Sequence, residues 1–314
     1  MKTRFIFNPC SGRNRRRPAL AEAIRAFIAA RSLDAEFTMT EGPGHATALA
    51  REAAIAGSEV IVAVGGDGTM NEVAQGLLDT PAALALVPCG SGNGLALHLG
   101  LPRAPLAALQ LATGVGGRVV AVDTGLANGK PFFNAMGLGL DADVSWRFNR
   151  LVRRGLPAYA RVALTALRSL RPQRCTISSG ARTESIDVLL VAVANSDHYG
   201  NHARIAPGAR VDDGRLDLVA ISAGSWAGVA ALVPRLFLGN LDRSPLVTRF
   251  TGPRFVIDRV APGLIHTDGE THEAGARVEV VVRPRSLRMV IPVASTAVAP
   301  ACVSPRARFA LQFP

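Results

Sequence analysis

The segment Val64-Gly65-Gly66-Asp67-Gly68-Thr69-Met70-Asn71-Glu72 follows an apolar run and opens a helical pattern. Glycines at a strand-to-helix turn let backbone N–H groups approach phosphate oxygens, and the helix N-terminus adds favourable partial charge. A carboxylate beside phosphates, here Asp67, is useful when a divalent cation lies between them, so the segment points to a magnesium-nucleotide site. Two further strand-end loops, Asn8-Pro9-Cys10-Ser11-Gly12 and Cys89-Gly90-Ser91-Gly92-Asn93-Gly94, supply polar turns. Three such loops converging on one sheet edge make a pocket. No Gly-x-x-x-x-Gly-Lys-Ser/Thr occurs, and no Gly-x-Gly-x-x-Gly opens the first helix. A P-loop enzyme and an ordinary dinucleotide-binding domain are thereby excluded. Near the other end stands Asp268-Gly269-Glu270. Its two carboxylates share one face if both lie in a regular strand. Such a pair is either a hydrogen-bonded turn or the source of a base that takes a hydroxyl proton in phosphoryl transfer, and the upstream loops favour the base.

These loops need a frame. Through about residue 125 the chain alternates apolar runs (4–8, 35–40, 60–66, 83–88) with helical patterns (18–31, 45–56, 70–78, 106–113). That alternation predicts a parallel sheet covered on both faces. From Arg118 onward come the strand-like pieces VVAVDTGLA, KPFFNAMGLG, DVLLVAVAN, GRLDLVAIS, RFVIDRV, LIHTDGE, RVEVVVRP and LRMVIP, broken by Gly, Pro, Asp and Asn. They predict an antiparallel, β-rich half, interrupted by helical insertions at about 144–170 and 226–238. The expected fold class is α/β: an N-terminal Rossmann-like parallel-sheet nucleotide-binding domain (1–125) and a C-terminal β-rich, sandwich-like domain with helical insertions (126–292). Residues 293–314 read as a tail that could return to the first domain.

With these marks in order, the sequence resembles the diacylglycerol kinase catalytic-domain family, which includes bacterial lipid kinases, sphingosine kinases and ceramide kinases. The resemblance spans roughly residues 3–292 and rests on NPCSG (8–12), GGDGTMNEV (65–73), PCGSGNGLA (88–96), VDTG (122–125), GLGLDADV (137–144), the block NSDHYGNHARIAPGARVDDGRLDLV (195–219) and HTDGE (266–270). It implies an NAD kinase- and phosphofructokinase-like first domain. It implies ATP contacts from Asn8, Ser11, Gly12, Thr40, Gly65, Gly66, Asp67, Gly68, Thr69, Met70, Asn71, Gly90 and Ser91, with Mg2+ as cofactor. Asp268 or Glu270 would accept the proton of the lipid hydroxyl. Asp67 and Asp123 match a network holding the catalytic metal. Arg210, Asp213 and Arg215 match a structural magnesium site, the arginines through their carbonyls, and Asp141 matches a position meeting the lipid's polar head. Some bacterial members carry aspartate after the third loop's asparagine; here Gly94 follows Asn93, a pattern closer to sphingosine and ceramide kinases.

The implied activity is transfer of the γ-phosphate of ATP to a primary hydroxyl of diacylglycerol or of a sphingoid base or ceramide. The alternatives are an NAD kinase-like phosphotransferase, which shares GGDGT, and a catalytically silent lipid- or nucleotide-binding regulator. The 314 residues carry 35 Lys+Arg against 24 Asp+Glu, a net charge of +11. That predicts an anionic partner, here phosphates and an anionic membrane surface. Nucleic acid is not expected, because aromatics are 5% of the chain and no nucleic-acid module is recognisable. Four scattered cysteines without a Cys-x-x-Cys pair fit neither a disulfide framework nor a thiolate zinc site. The uncharged run Leu218–Pro234 is diluted by Ser and Gly and reads as a buried strand followed by a helix, so no transmembrane span is expected. A cytoplasmic, peripherally membrane-associated enzyme follows, its oligomeric state open to a homodimer. The stretch Trp146–Arg174, arginine-rich with apolar neighbours, reads equally as a membrane-docking helix or a helix packed on the second domain. Arg13–Arg17 read as a solvated run, and His198 and His202 as a surface loop rather than a metal site.

Overall fold

The computed structural model describes residues 1–149, 162, 165 and 172–298. Strands β1 (Thr3–Phe7), β2 (Ala35–Met39), β3 (Val60–Gly65) and β4 (Ala83–Pro88) alternate with helices α1 (Ala19–Ala30), α2 (His45–Ile55) and α3 (Asp67–Leu77); α4 (Gly94–His98) and α5 (Pro105–Ala112) follow β4. The strands pair in parallel in the order β2-β1-β3-β4. Every residue of β3 and β4 is buried, as helices on both faces require. Helix α3 starts at Asp67 rather than at the expected Met70, because Gly66 takes an extended conformation and serves as its N-cap. Helix α4 follows directly on the third glycine loop; its five residues are too few to show a period.

The second half comprises β5 (Gly117–Ala127), β6 (Lys130–Phe132), β7 (Ala135–Gly139), α6 (Leu140–Asn149), β8 (Gln173–Ser179), β9 (Arg182–Ala194), β10 (His198–Gly200), β11 (Ala203–Arg204) and β12 (Leu216–Ser222). After these come α7 (Trp226–Ala230), α8 (Leu232–Leu238), a 3-10 turn (Leu241–Arg243), β13 (Val247–Gly252), β14 (Arg254–Arg259), β15 (Gly263–Thr267), β16 (Glu270–Ala274) and β17 (Arg277–Pro292). Long β9 is the hub: its first half pairs with β8, its second half with β7 and β12, all antiparallel. The pieces RVEVVVRP and LRMVIP form one strand, β17, which pairs with β14, with β5 along most of its length, and in parallel with β4 at Arg288–Met289. Both halves of the molecule therefore share it. The register of β17 shifts between Arg283 and Leu287, where Arg285 has φ +51°, the signature of a bulge that re-aims the strand.

Three apolar cores result. Phe5, Ile61, Leu84 and Leu99 lie in the first, under the parallel sheet. Phe132, Met136, Val191, Phe255 and Val280 lie in the second, inside the sandwich. Ala192, Ile205, Val219, Leu232 and Leu241 form a smaller third on the sandwich's outer side. Each fully buried side chain of this size contributes about 1.5–3 kcal/mol. Most of the Trp146–Arg174 stretch, including Arg150, Arg153 and Arg154, and the tail beyond Val298 lie outside the described residues.

Candidate active site

The carboxyl ends of β1, β3 and β4 present the three loops side by side. A Cβ on Gly66 would stand 3.0 Å from Gly90 Cα, and one on Gly90 2.7 Å from Gly66 Cα, so the second and third loops touch backbone to backbone and tolerate glycine alone. Gly65 is equally closed, since a Cβ there would lie 2.3 Å from Thr69 Oγ1. Asn8 Nδ2 donates to Thr69 Oγ1 (2.9 Å), and Asn14 Nδ2 donates to the carbonyls of Asn8 and Val64, tying the first loop to the second. Ser11 sits close by, its Oγ 3.5 Å from where a Gly66 Cβ would be, with Gly12 and Ser91 at the surface and Thr40 at the end of β2, its N–H on Phe7 O. No side chain caps α3 at Gly66, so its leading N–H groups are oriented for an anion. These features fit nucleotide phosphates.

Asp67 stands at that helix start. Its Oδ2 accepts from Asn93 N (2.8 Å) and its Oδ1 from Gly94 N (3.0 Å). Asn93, at φ +52°, closes its own loop by bonding Gly90 N and O. A carboxylate offers about four lone-pair positions, so Asp67 keeps capacity for a cation. Burial, then the charge of Asp268, raises its carboxyl above the usual 3.8, and the two amides oppose that rise. The Gly94 that follows Asn93 has a steric reason: a Cβ would fall 2.7 Å from Asn134 Nδ2 and 2.8 Å from His198 O.

Asp268 and Glu270 part company. They do not share one strand face, because β15 ends at Thr267 and Asp268 turns the hairpin at φ +49°. Asp268 Oδ2 accepts from Asn71 Nδ2 and Phe133 N (2.8 Å each), and Oδ1 from Asn134 N (2.9 Å) and Ala135 N (3.0 Å). All its acceptor positions are filled. Burial raises its carboxyl while these donors pull it down. The Asn71 bond joins α3 of the first half to the hairpin of the second, closing a cleft. Glu270 opens β16 and reaches solvent. Partial desolvation in the cleft, then the charges of Glu72 and Asp268, push its carboxyl above the usual 4.5, with Lys130 opposing.

Asp141, on the first turn of α6, is buried with His266 Nε2 2.9 Å from its Oδ2, and Tyr199 OH donates to the same oxygen. Burial works against a charged His266, but Asp141 outweighs it and raises its pKa above the usual 6.5. A Cβ on Gly137 would be 2.1 Å from Asp141 Oδ2, so β7 must carry glycine under this group. Neither Tyr199 nor His266 was read from the sequence as part of the site, though both lie inside quoted motifs.

Asp123 joins a different group. Its oxygens accept from Gly214 N (2.7 Å) and Arg285 N (2.8 Å), and its own N–H donates to Val211 O. It thereby fixes the bulge of β17 to the loop 210–215. In that loop Asp213 Oδ1 accepts from Arg215 N, and Asp212 pairs with Arg210. Burial, then Asp217, Asp123 and Asp212, raises the Asp213 carboxyl, a cluster a cation would relieve. The expected surface loop at His198 is instead buried: His98 Nδ1 lies 2.6 Å from Asp197 Oδ1, and His198 Nδ1 contacts the same oxygen. His202 is exposed, as expected. The two imidazoles and carboxylate have donor atoms within 4.8 Å of one another. Hydrogen-bond spacing and an Arg204 guanidinium 3.8 Å from Asp197 Oδ2 nevertheless mark a hydrogen-bonded lock between α4 and the 195–200 loop.

Comparisons with known proteins match this geometry. Residues 2–127 match the model of the diacylglycerol kinase catalytic domain, and residues 134–291 that of the YegS C-terminal NAD kinase beta sandwich-like domain. The diacylglycerol kinase of Bacillus subtilis (strain 168) is 33% identical over 72% of this chain and 75% of its own. A protein of Pseudomonas fluorescens named "Probable lipid kinase YegS-like" is 30% identical over 87% of this chain and 92% of its own. The solved structure of a diacylglycerol kinase from Bacillus anthracis str. Sterne covers 92% of this chain and 96% of its own, with TM-score 0.68 at 19% identity, a likeness of fold. The paired domains, the three glycine loops and these relatives together make the chain a member of the diacylglycerol kinase and YegS-like lipid kinase family, a phosphotransferase acting on lipid.

Proposed function

We propose that this kinase transfers the γ-phosphate of Mg-ATP to the primary hydroxyl of diacylglycerol, with Glu270 as the proton acceptor. The observation that carries the reading is the contrast in the hairpin: Asp268 has every acceptor position bonded, whereas the exposed Glu270 has no hydrogen-bonding donor among the described residues and a pKa raised by partial desolvation and by Glu72 and Asp268. A base with a pKa moved toward neutrality is suited to late proton transfer. The uncapped start of α3 and the loops at 8–12 and 88–94 bind phosphate through backbone N–H groups, and Asn71 holds the hairpin against them. Asp67 retains lone pairs to hold the divalent metal, which when bound neutralises charge on the transferring phosphate.

The choice of acceptor rests on Asp141. Its carboxylate already holds His266 and the Tyr199 hydroxyl, so the charge that a sphingoid ammonium would require is engaged. A neutral glycerol headgroup needs no such charge. The enzyme would act on the cytoplasmic face of an anionic membrane. The test is transfer of label from γ-labelled Mg-ATP to diacylglycerol, sphingosine, ceramide and NAD, each with and without EDTA. Label in diacylglycerol that disappears with EDTA is expected; label in NAD or sphingosine alone would overturn the reading.

A further inference from the structure

The uncharged run Leu218–Pro234 reads from the sequence as a buried strand followed by a helix, and the structure has that order. Its strand, β12, is buried, but α7 buries no residue at all, and α8 buries Leu232 alone. Trp226 is 54% exposed, Val233 56%, Phe237 46% and Leu238 73%. Four large apolar side chains on two adjoining short helices face water, a concentration that a protein exposes where something covers it.

Three observations identify the cover. From Ala223 to Gly239 there is one charge, Arg235, and no acid. Arg204 packs against Gly239, and exposed Arg243 follows on the 3-10 turn beside the single acid Asp242. Arg235 and Arg243 beside an apolar centre complement an anionic bilayer surface, and a tryptophan at the edge of an apolar face suits the headgroup level. The face is also continuous with the site: Leu232 belongs to the third core, and Leu236 and Tyr199 pack against that core. Tyr199 in turn donates to Asp141.

We infer that α7 and α8 form a monotopic docking face that seats the kinase on an anionic bilayer, with Trp226, Val233, Phe237 and Leu238 entering the headgroup region. This rests on the lipid-kinase reading and adds the surface by which the enzyme reaches its acceptor. The chain has two tryptophans, so Trp146→Phe leaves Trp226 as the sole reporter. On phosphatidylcholine vesicles containing phosphatidylglycerol, Trp226 emission should shift to the blue and be quenched by brominated acyl chains, with little change on phosphatidylcholine alone. The full-length double variant Phe237→Ser/Leu238→Ser, its circular dichroism unchanged, should sediment with the mixed vesicles about tenfold less. Phosphorylation of diacylglycerol in detergent micelles should be retained by that variant.

Sedimentation with vesicles without any change in Trp226 emission would place docking elsewhere and overturn the inference. So would a shift that appears without vesicles and grows with protein concentration, since a second copy would then cover the face. Failure of the unmodified enzyme to label diacylglycerol in micelles would instead strike the functional reading, leaving the Trp226 result to stand or fall alone.

Discussion

Two aspartates, the half-buried Asp268 and the buried Asp123, tie distant parts of the chain together and are built alike. Each accepts backbone N–H groups from chain far away in sequence, and each has less fully bonded acids beside it. They differ in their neighbours. Asp268 takes a bond from Asn71 of α3, adds its charge to Asp67, and lies near Glu270, which also feels the charge of Glu72 on α3. Asp123 binds the bulge of β17 to the 210–215 loop, where Asp212 and Asp213 face one another. A fully bonded aspartate is therefore a sign of architecture in both places, and the proposed chemistry falls to the freer acid of the hairpin, Glu270.

The sharpest way to break this contrast is within the hairpin. Glu270→Gln should lower kcat by about 10²–10⁴-fold while leaving the melting temperature unchanged. Asp268→Asn swaps one accepting oxygen for a donor among four N–H groups and should cost about 1–3 kcal/mol of stability, read by urea denaturation. Full activity in Glu270→Gln would reverse the two roles. At the other position Asp123→Asn should again cost about 1–3 kcal/mol, with the loss in stability exceeding the loss in kcat. A kcat loss matching that of Glu270→Gln at unchanged stability would make Asp123 part of the reacting site.

The smallest effect is a pH shift. The Glu270 carboxyl lies above 4.5 because of desolvation, Glu72 and Asp268. A base must be ionised, so kcat should fall as pH drops through that raised value. Glu72→Gln removes one like charge and should move the acid limb down by about half a unit. A pH–rate profile unchanged in Glu72→Gln would show that the limb belongs to another group.

Much of this was legible in the residues. The parallel strands announced themselves because burial on both faces leaves unbroken apolar runs, and the glycine loops because backbone contact at Gly66 and Gly90 excludes every side chain. What escaped depended on partners distant in sequence. His198 is buried through an Asp197 shared with His98, about a hundred positions earlier. The separate fates of Asp268 and Glu270 turn on a positive φ that regular alternation does not reveal. The run after β12 is apolar in composition, and local pattern cannot tell a face packed on protein from one left for another apolar phase.

Strand β17 bears on how the molecule is made. It is the last strand among the described residues, yet it closes the open edge of β4 and supplies the long partner of β5. While a ribosome is still producing the sandwich, the earlier parallel sheet has an unpaired edge, the kind that recruits other chains. Completion of the first half must wait for residues synthesised some two hundred positions after β4, so the two halves mature as one cooperative unit rather than in succession. Expression of residues 1–127 alone should yield an aggregation-prone fragment, and supplying β17 on a linker is the natural remedy.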